Sequence, residues 1–446
     1  MIYVLALLLA LNGRAAAAEL TVTLRAAEEG ALANSDQYKS ARFSAEAARA
    51  AASAAGSLLG PRLGLEGSLR YAETVPRISL PAAMGGDRPL GDNWNYSVGP
   101  SAYWTLFDGG AARAAFKSAS HIAASRSAEA EHAARQAVLK ARTAYFRLQL
   151  ALEKVYLIGE DLRLSMSQLR DISTGARAGS RSRLDEIRAR QEATARRRDL
   201  LRARSALGAS LRDLYFAAGM ELPEGASLPL DHRMAGRDYG EAGPDPLFIK
   251  AEPYGDMLER MAGAAAVWSG SETPAVRALA SAGRAYEARA GAYKAERYPR
   301  VVAGARTSLD YPNGPRLYSF LQNSASLSLS LPLFENGRSS ANEMESAMDS
   351  AAMMGKKDEA ASAAERDHKK ALDAYKALAA EQELNVAAVD DAAEAARLAY
   401  ESYKAGGATW LEVESANLKS MQAKTTAAEA SAEMLIDLAV LDSLKE

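Results

Sequence analysis

The chain contains two copies of one pattern, and the distance between the copies is constant. The segment Leu106–Gly110 (LFDGG) returns as Leu333–Gly337 (LFENG), an offset of 227 residues (333 − 106). A second set of residues returns with the same offset: Gly179, Ser182 and Asp185 as Gly406, Thr409 and Glu412. No insertion or deletion separates the two landmarks in either half, which is expected where two long rods run side by side in register.

Each half predicts the same order of elements. An Ala-rich helical pattern, Leu20–Leu59 or Pro274–Tyr298, precedes a strand pair, a long helix, a glycine turn and a returning helix. The expected bounds are a first repeat at 19–219 (β-hairpin about 62–107, helical hairpin about 108–219), a proline-rich joining segment at 220–273 and a second repeat at 274–446 (β-hairpin about 300–334, helical hairpin about 335–446). The joining segment is expected to be irregular and to pack outside the helices. The helical seam is predicted at Leu139, Ala141, Tyr145, Phe146, Leu148, Leu152 and Val155.

The predicted strands alternate apolar and polar residues, most clearly where Leu327, Leu329 and Leu331 are separated by single serines. Long segments in which apolar and polar residues alternate with a period of two are typical of strands that cross an outer membrane at a tilt. The alternative is a soluble sheet with one face on a core. Three features favour the membrane: the polar face carries charges, the helices are too polar to cover the sheet, and aromatic residues lie near the strand ends. These aromatic residues form the predicted girdle, Tyr71, Trp94, Trp104 and Tyr311.

Four strands do not close a barrel, and an open sheet edge in hydrocarbon leaves unpaired backbone groups at several kcal/mol each. The barrel must therefore be built from several chains. Two chains give eight strands and a filled interior, whereas three give twelve strands and room for water. The polar inward faces favour three. The predicted fold class is mainly α with a β-barrel, as a trimeric 12-stranded transmembrane barrel continuous with a long periplasmic helical barrel.

The N-terminus predicts export. Residues Ile2–Leu11 form a short apolar run, and Ala16–Ala18 offers a small-residue cleavage site. We therefore expect a signal peptide at 1–18. After residue 20 no apolar run is long enough for a membrane-spanning helix.

The composition excludes several classes of site. The chain has no Cys and only 4 His, none at the spacing of a helical metal site, so no metal ligand set or thiol nucleophile is expected. The formal net charge of −2 does not favour nucleic acid. The sequence has neither a phosphate-binding loop nor a nucleophile–base grouping, so we expect no enzyme and no cofactor.

The two glycine turns are the candidate functional positions. Ser182 to Asp185 and Thr409 to Glu412 each fit a capping box, in which the hydroxyl and the acid satisfy backbone N–H groups at the start of a helix. The functional alternative is that the two acids form carboxylate rings in an assembled pore and favour cations. Positive φ angles are expected at the turn glycines, Gly179, Gly406 and Gly407.

Arginines beside the first turn have two interpretations. Arg177, Arg181 and Arg183 either pair with Glu412 or Glu414 of a neighbouring hairpin and hold the turns shut, or they belong to a solvated helix end.

Over its whole mature length the chain resembles the TolC-like outer membrane efflux proteins. The resemblance rests on the order and duplication of these features: the signal peptide, the strand pairs, the LFDGG and LFENG segments, the long helices and the glycine turns. The resemblance implies a homotrimer in outer-membrane lipid, forming a passive exit duct whose helical barrel lies in the periplasm. It implies that an adaptor and an inner-membrane RND or ABC pump dock at the turns, here Gly179, Ser180, Ser182, Gly406, Gly407 and Thr409. It also implies that Glu412 helps to line the entrance and that Tyr403 helps to hold it closed.

The substrate class stays open at this point. Efflux of small molecules, drugs or metal ions is the first expectation, and a duct for ABC-driven protein secretion is the alternative. A third class, a periplasmic coiled coil with a sheet outside the membrane, would give a soluble monomer.

Overall fold

The computed structural model describes residues 19–81, 83, 86–221, 229–236, 247–263, 268 and 272–445. The predicted signal peptide at 1–18 lies outside the described residues. The chain divides into two compact units. The helical unit comprises the described parts of Met1–Ser40, His132–Thr273 and Ser362–Glu446, and the sheet unit comprises those of Ala41–Glu131 and Pro274–Ala361.

The described residues are mostly helical. The helices are α1 (Leu24–Asn34), α2 (Asp36–Ser57), α3 (Ala111–Arg177), α4 (Arg183–Ala217), α5 (Tyr254–Met261), α6 (Pro274–Ala295), α7 (Arg338–Ala405) and α8 (Trp410–Ser443). The strands are β1 (Glu19–Thr21), β2 (Arg62–Tyr71), β3 (Arg77–Ser79), β4 (Asp87–Pro89), β5 (Trp94–Phe107), β6 (Leu230–Asp231), β7 (Phe248–Lys250), β8 (Arg300–Tyr311) and β9 (Phe320–Ser330). None of the described helices is both long and apolar enough to cross a bilayer.

The sheet unit contains one antiparallel sheet of four strands, in the order β2–β5–β8–β9. Its register separates apolar from polar side chains. Val98 lies opposite Leu309, which lies opposite Leu321, on one face, whereas Ser97 lies opposite Asp310 on the other. Since β2 and β9 each pair with a single strand, both outer edges of this sheet lack a partner among the described residues.

None of the described residues covers the apolar face of the sheet. Large side chains on the two edge strands are mostly exposed, and Leu63 and Leu327 keep 83% and 71% of their surface. The polar face carries its own hydrogen bonds, including those from Ser97 to Asp310 (2.5 Å) and from Ser101 to Glu66 (2.8 Å). The leucines of this sheet are therefore not the inner face of a domain core.

Both long helices begin at an acid of the repeated segment. Asp108 accepts hydrogen bonds from the N–H groups of Gly110 (2.9 Å) and Ala112 (2.8 Å) at the start of α3. Glu335 accepts from the Ser339 hydroxyl and from Arg338 at the start of α7. A carboxylate at this end of a helix satisfies unpaired N–H groups and is favoured by the helix dipole.

The core of the helical unit contains the whole predicted seam of α3, from Leu139 to Val155. Its centre is Tyr145, a fully buried residue whose hydroxyl accepts from the N–H of Glu252 at 3.0 Å. The Glu252 carboxylate in turn accepts from the N–H of Leu24 at 3.0 Å, at the first residue of α1.

The structure differs from the sequence predictions in the joining segment and at the start of the first helix. The described part of the joining segment is not irregular: β6, a 3-10 turn at His232–Met234, β7 and α5 are present, and β1, β7 and β6 form a parallel sheet. The helix expected from Leu20 begins only at Leu24, because residues 19–21 pair with β7. The loop after β2 contains the small sheet β3–β4. Strands of two or three residues are too short to show a visible alternation of apolar and polar side chains.

Candidate functional site

The two turns that join the long helices, both in the helical unit, share one backbone geometry. The N–H of Ser180 donates to the carbonyl of Gly175, and the N–H of Gly407 donates to that of Ser402, each at 2.9 Å. Gly179 and Gly406 have φ angles of 77° and 82°. This is the Schellman motif, in which one residue after the helix adopts the left-handed conformation. The prediction of a positive φ is wrong for Gly407 because the motif needs it at one position only.

The second turn ends in the predicted capping box. The Thr409 hydroxyl accepts from the N–H of Glu412, and the Glu412 carboxylate accepts from the N–H of Thr409 at 2.6 Å. These hydrogen bonds to Thr409 lower the pKa of Glu412. The first turn has only half of the box. Ser182 accepts from the N–H of Leu184 at 3.1 Å, and Asp185 bonds elsewhere.

Asp185 bonds to the other turn. The Tyr403 hydroxyl, from the last turn of α7, donates to its carboxylate at 3.2 Å. Tyr403 is buried, and burial together with the negative charge of Asp185 raises its pKa. Asp185 and Glu412 occupy equivalent positions of the repeat. Asp185 nevertheless bonds to the other turn, whereas Glu412 caps its own helix.

Arg181 makes a second connection between the turns. Its Nη1 donates to the carbonyl of Tyr403 at 2.9 Å, its Nη2 donates to that of Lys404 at 2.7 Å, and the guanidinium lies 4.5 Å from the centre of the Tyr403 ring. The last carbonyls of a helix have no partner within the helix, so the arginine satisfies groups that water would otherwise bind. Gly175 makes room for this side chain, because a Cβ there would lie 2.5 Å from Cγ of Arg181.

An apolar cluster lies behind these polar contacts. The tip cluster consists of buried residues from all four helices: Ile172, Ala189, Tyr403, Trp410 and Val413. Trp410 is 1% exposed and its ring meets that of Tyr403 edge-on at 5.5 Å. The turns are thus joined by a packed core as well as by hydrogen bonds.

The remaining predicted arginines have partners within their own hairpin. Arg183 forms an ion pair with Glu186, which also pairs with Arg190 at 3.0 Å. Burial raises the pKa of Glu186, but the two arginines outweigh it and the pKa is lowered. Arg177 donates to the carbonyl of Ser173 at 3.3 Å. Arg177 and Arg183 thus bond within their own hairpin, and pairing with Glu412 or Glu414 of a neighbouring hairpin stays a prediction.

Several residues at the turns were not predicted. Trp410 and Val413 are at the repeat positions of Arg183 and Glu186, so one copy has an apolar pair where the other has an ion pair. A position-by-position comparison of the two copies of the repeat would have identified these two positions, because the residue type changes there. Tyr400 was also missed; it donates to Asp171 at 2.8 Å.

The predicted aromatic girdle forms two groups in the sheet unit. Tyr71 and Trp94 lie with ring centres 5.0 Å apart, and Tyr311 stacks on Tyr96, which was not predicted, at 5.3 Å. Trp104 lies towards the other end of β5, where its indole N–H donates to the carbonyl of Leu59 at 3.2 Å. Among the described residues, no group of three or more His, Asp or Glu is arranged to hold a metal ion.

The model of a family described as outer membrane efflux protein matches residues 29–220 and 270–444, which is most of the chain. The chain belongs to this family. The resemblance to TolC-like channels that the sequence predicts is therefore confirmed. Several solved structures of similar fold are outer membrane channels, among them OprN, CmeC of Campylobacter jejuni and MtrE.

Solved structures of similar fold cover nearly the whole chain. A membrane protein from Pseudomonas aeruginosa is 20% identical with a TM-score of 0.73, covering 94% of this chain and 93% of that one. The outer membrane protein VceC of Vibrio cholerae is 18% identical with a TM-score of 0.72, covering 94% and 95%. The open state of the MtrE outer membrane channel of Neisseria gonorrhoeae is 20% identical with a TM-score of 0.70, covering 94% and 88%. Among curated proteins, none matches the sequence.

Proposed function

We propose that this efflux-family protein is a passive exit duct, assembled as a homotrimer in the outer membrane. The observation that carries the proposal is the four-stranded sheet, with exposed leucines on one face, serines and charges on the other, and two unpaired edges. An open edge is not stable in hydrocarbon, so the sheet must close with other copies. Three copies give twelve strands, with the apolar face towards lipid and the polar face around a water-filled lumen.

Contacts between the two turns stabilise the closed state of the duct. Tyr403 on Asp185 and Arg181 on the end of α7 hold the two helical hairpins of one chain together. Opening requires these contacts to break. Glu412 is exposed and acts as a helix cap, and three copies of it around an axis also form a ring of negative charge that attracts cations.

The energy for transport comes from partners. We propose that a periplasmic adaptor docks at the exposed turn residues, Gly179, Ser180, Ser182, Gly406, Gly407 and Thr409. An inner-membrane RND or ABC pump then expels small molecules, drugs or metal ions through the helical barrel in the periplasm and out of the cell.

Extraction and conductance test the duct. We expect the protein in the outer-membrane fraction as a trimer that is soluble only with detergent and that dissociates on heating. In planar bilayers it should form a channel of low conductance, as the interlocked turns require. A water-soluble monomer in the periplasm would contradict the proposal and favour the coiled-coil alternative.

Crosslinking tests the partners. The chain has no Cys, so Ser180→Cys places a single thiol at the first turn, and Glu381→Cys places one on an exposed position of α7 as a control. We expect adaptor and pump subunits to be captured from Ser180→Cys and not from the control. Capture with a proton-driven pump supports small-molecule efflux, whereas capture with an ABC exporter and its protein cargo supports the secretion alternative. Equal capture at both positions would contradict docking at the turns.

A further inference from the structure

A group of buried charges lies between helices next to the tip cluster. This buried carboxylate layer consists of Asp161 on α3 with Glu192 and Arg196 on α4, whose side chains are 10%, 3% and 15% exposed. Arg196 Nε lies 2.6 Å from Asp161, and its Nη2 lies 4.0 Å from Glu192. One guanidinium therefore faces two buried carboxylates, and Asp161 is the closer partner.

Glu192 is the carboxylate left without adequate compensation. Both of its oxygens are buried, and neither has a hydrogen bond of good geometry to any described residue. An ionised carboxylate that is desolvated and poorly paired is unfavourable, and it gains a proton instead. Burial raises the pKa of Glu192 to about 7, and the carboxylates of Glu414 and Asp161 add to the rise, against the attraction of Arg196 and a weak interaction with the amide of Asn417.

Burial raises the pKa of Asp161 as well, but the close contact with Arg196 opposes that rise, so Glu192 is the favoured site of the proton. From α8, Glu414 adds negative charge, Lys424 acts on Asp161, and Asn417 donates to Gln168 of α3 at 3.2 Å. On α4, Asp199 lies 3.7 Å from Arg196 and competes for it. From α7, Arg397 and Glu401 line the neighbouring cavity and pair with each other at 3.6 Å.

A cavity borders this layer. It has a volume of about 380 Å³ and is lined by Asp161, Gln168, Asn417 and Lys424, among others. Two of these residues, Asp161 and Asn417, also interact with Glu192, so they give a proton a short path between the cavity and the buried carboxylate.

We propose that Glu192 is a proton-binding site that holds α3, α4 and α8 in the closed arrangement, and that losing this proton loosens the turns. The effect on the channel rests on the proposed function, but proton binding does not. The sign follows from the direction of the shift. A group whose pKa is raised by folding stabilises the closed fold fully below its ordinary value of 4.5 and loses that contribution as the pH rises through about 7.

The first test measures the proton directly. Carbon NMR of the detergent-solubilised, glutamate-labelled protein gives the carboxyl titrations, and Glu192→Gln identifies the signal of Glu192 by its absence. A midpoint near pH 7 supports the site. A midpoint near the ordinary value of 4.5 overturns it, whether or not the protein conducts ions.

The second test measures the channel. We expect bilayer conductance to rise with a midpoint near pH 7 in the unmodified protein, and Glu192→Gln, which cannot ionise, to lose this step and remain in the low-conductance state. Asp161→Asn frees Arg196 for Glu192 and should move the midpoint to lower pH. Asp213→Asn, which removes an exposed carboxylate of α4, should leave it unchanged.

The outcomes of the two tests separate the two proposals. Persistence of the step in Glu192→Gln, or an unmoved midpoint in Asp161→Asn, would overturn the gating role of Glu192. Absence of conductance in every variant, with Glu192 still titrating near pH 7, would overturn the duct and support the proton site.

Discussion

The hydroxyl of Tyr403 donates to the carboxylate of Asp185 at 3.2 Å, although the two residues belong to different halves of the repeat. The equivalent acid, Glu412, instead caps its own helix. The two copies of the turn therefore use the equivalent acid for different contacts. One acid restrains the neighbouring hairpin, and the other is committed to local helix stability.

Removing the Tyr403 hydroxyl should loosen the turns. In Tyr403→Phe the ring remains in the tip cluster, and only the hydrogen bond to Asp185 is lost. Such a bond to a charged group contributes about 1–2 kcal/mol, or roughly a 5- to 30-fold change in the ratio of open to closed channel. Single-channel recording gives this ratio. The control is Tyr375→Phe, which removes a hydroxyl from another residue of α7, one that packs against the core of the helical unit. Equal open probability in the two variants would refute the restraint.

Gly175 and Arg181 should behave as a coupled pair. Arg181→Ala removes two hydrogen bonds and the contact with the Tyr403 ring, for an expected loss of about 1–3 kcal/mol in closed-state stability. Gly175→Ala should displace the arginine, because its Cβ would meet the side chain at 2.5 Å.

A double-mutant cycle separates this displacement from helix propensity. Alone, Gly175→Ala should raise the open probability. In the Arg181→Ala background it should be neutral or stabilising by up to about 1 kcal/mol, since alanine favours helix over glycine. Additive effects of the two substitutions on open probability would mean that Gly175 does not position Arg181.

Much of the fold was predictable because long elements repeat their signals many times. The alternation along β8 and β9, and the periodic apolar positions from Leu139 to Val155, each extend over several residues, so local exceptions do not hide them. The three-residue strands β1 and β7 are too short to carry such a pattern, and β7 is recognised as a strand only from its pairing with β1 and β6.

The site was predictable only where its interactions are local. The capping box of Thr409 and Glu412 is visible because both residues lie within one turn of the same helix. The bond between Tyr403 and Asp185, the path of Arg181 over Gly175 and the burial of Glu192 depend on how four helices pack. Sequence spacing does not encode those distances.

The cap at the second turn should depend on pH with the opposite sign to Glu192. The pKa of Glu412 is lowered, so its contribution is present above the ordinary value of 4.5 and is lost as the pH falls through the lower folded value. The N–H of Thr409, held by this carboxylate at 2.6 Å, should exchange with deuterium faster once Glu412 is protonated.

Hydrogen exchange read by mass spectrometry tests this cap. Relative to an unstructured peptide at each pH, protection at Thr409 should fall at acidic pH in the unmodified protein. In Glu412→Ala, which has no side-chain acceptor, it should be weak at every pH. Ser182, whose half-cap does not use the side chain of Asp185, is an internal control and should show no acid-dependent change. If the protection of the Thr409 N–H in the unmodified protein does not change with pH, the Glu412 carboxylate does not hold this N–H.

Neighbouring positions of β9 should respond in opposite ways to the same charge. Leu327 and Ser328 are both exposed and point to opposite faces of the sheet, the first apolar and the second polar. If the apolar face meets lipid, Leu327→Arg places a charge in hydrocarbon at a cost of about 2–4 kcal/mol per copy. Ser328→Arg places the same charge in the lumen, where water solvates it.

We therefore expect Leu327→Arg to lose most of the heat-dissociable trimer from the outer-membrane fraction, and Ser328→Arg to keep it. The second variant should also shift the reversal potential in a salt gradient towards anions, because three added positive charges line the channel. Immunoblots of unheated samples measure the trimer, and bilayer recording measures the selectivity. Loss of the trimer in Ser328→Arg with retention in Leu327→Arg would reverse the assignment of the two faces. Retention in both, with no change in selectivity, would place the sheet outside the membrane.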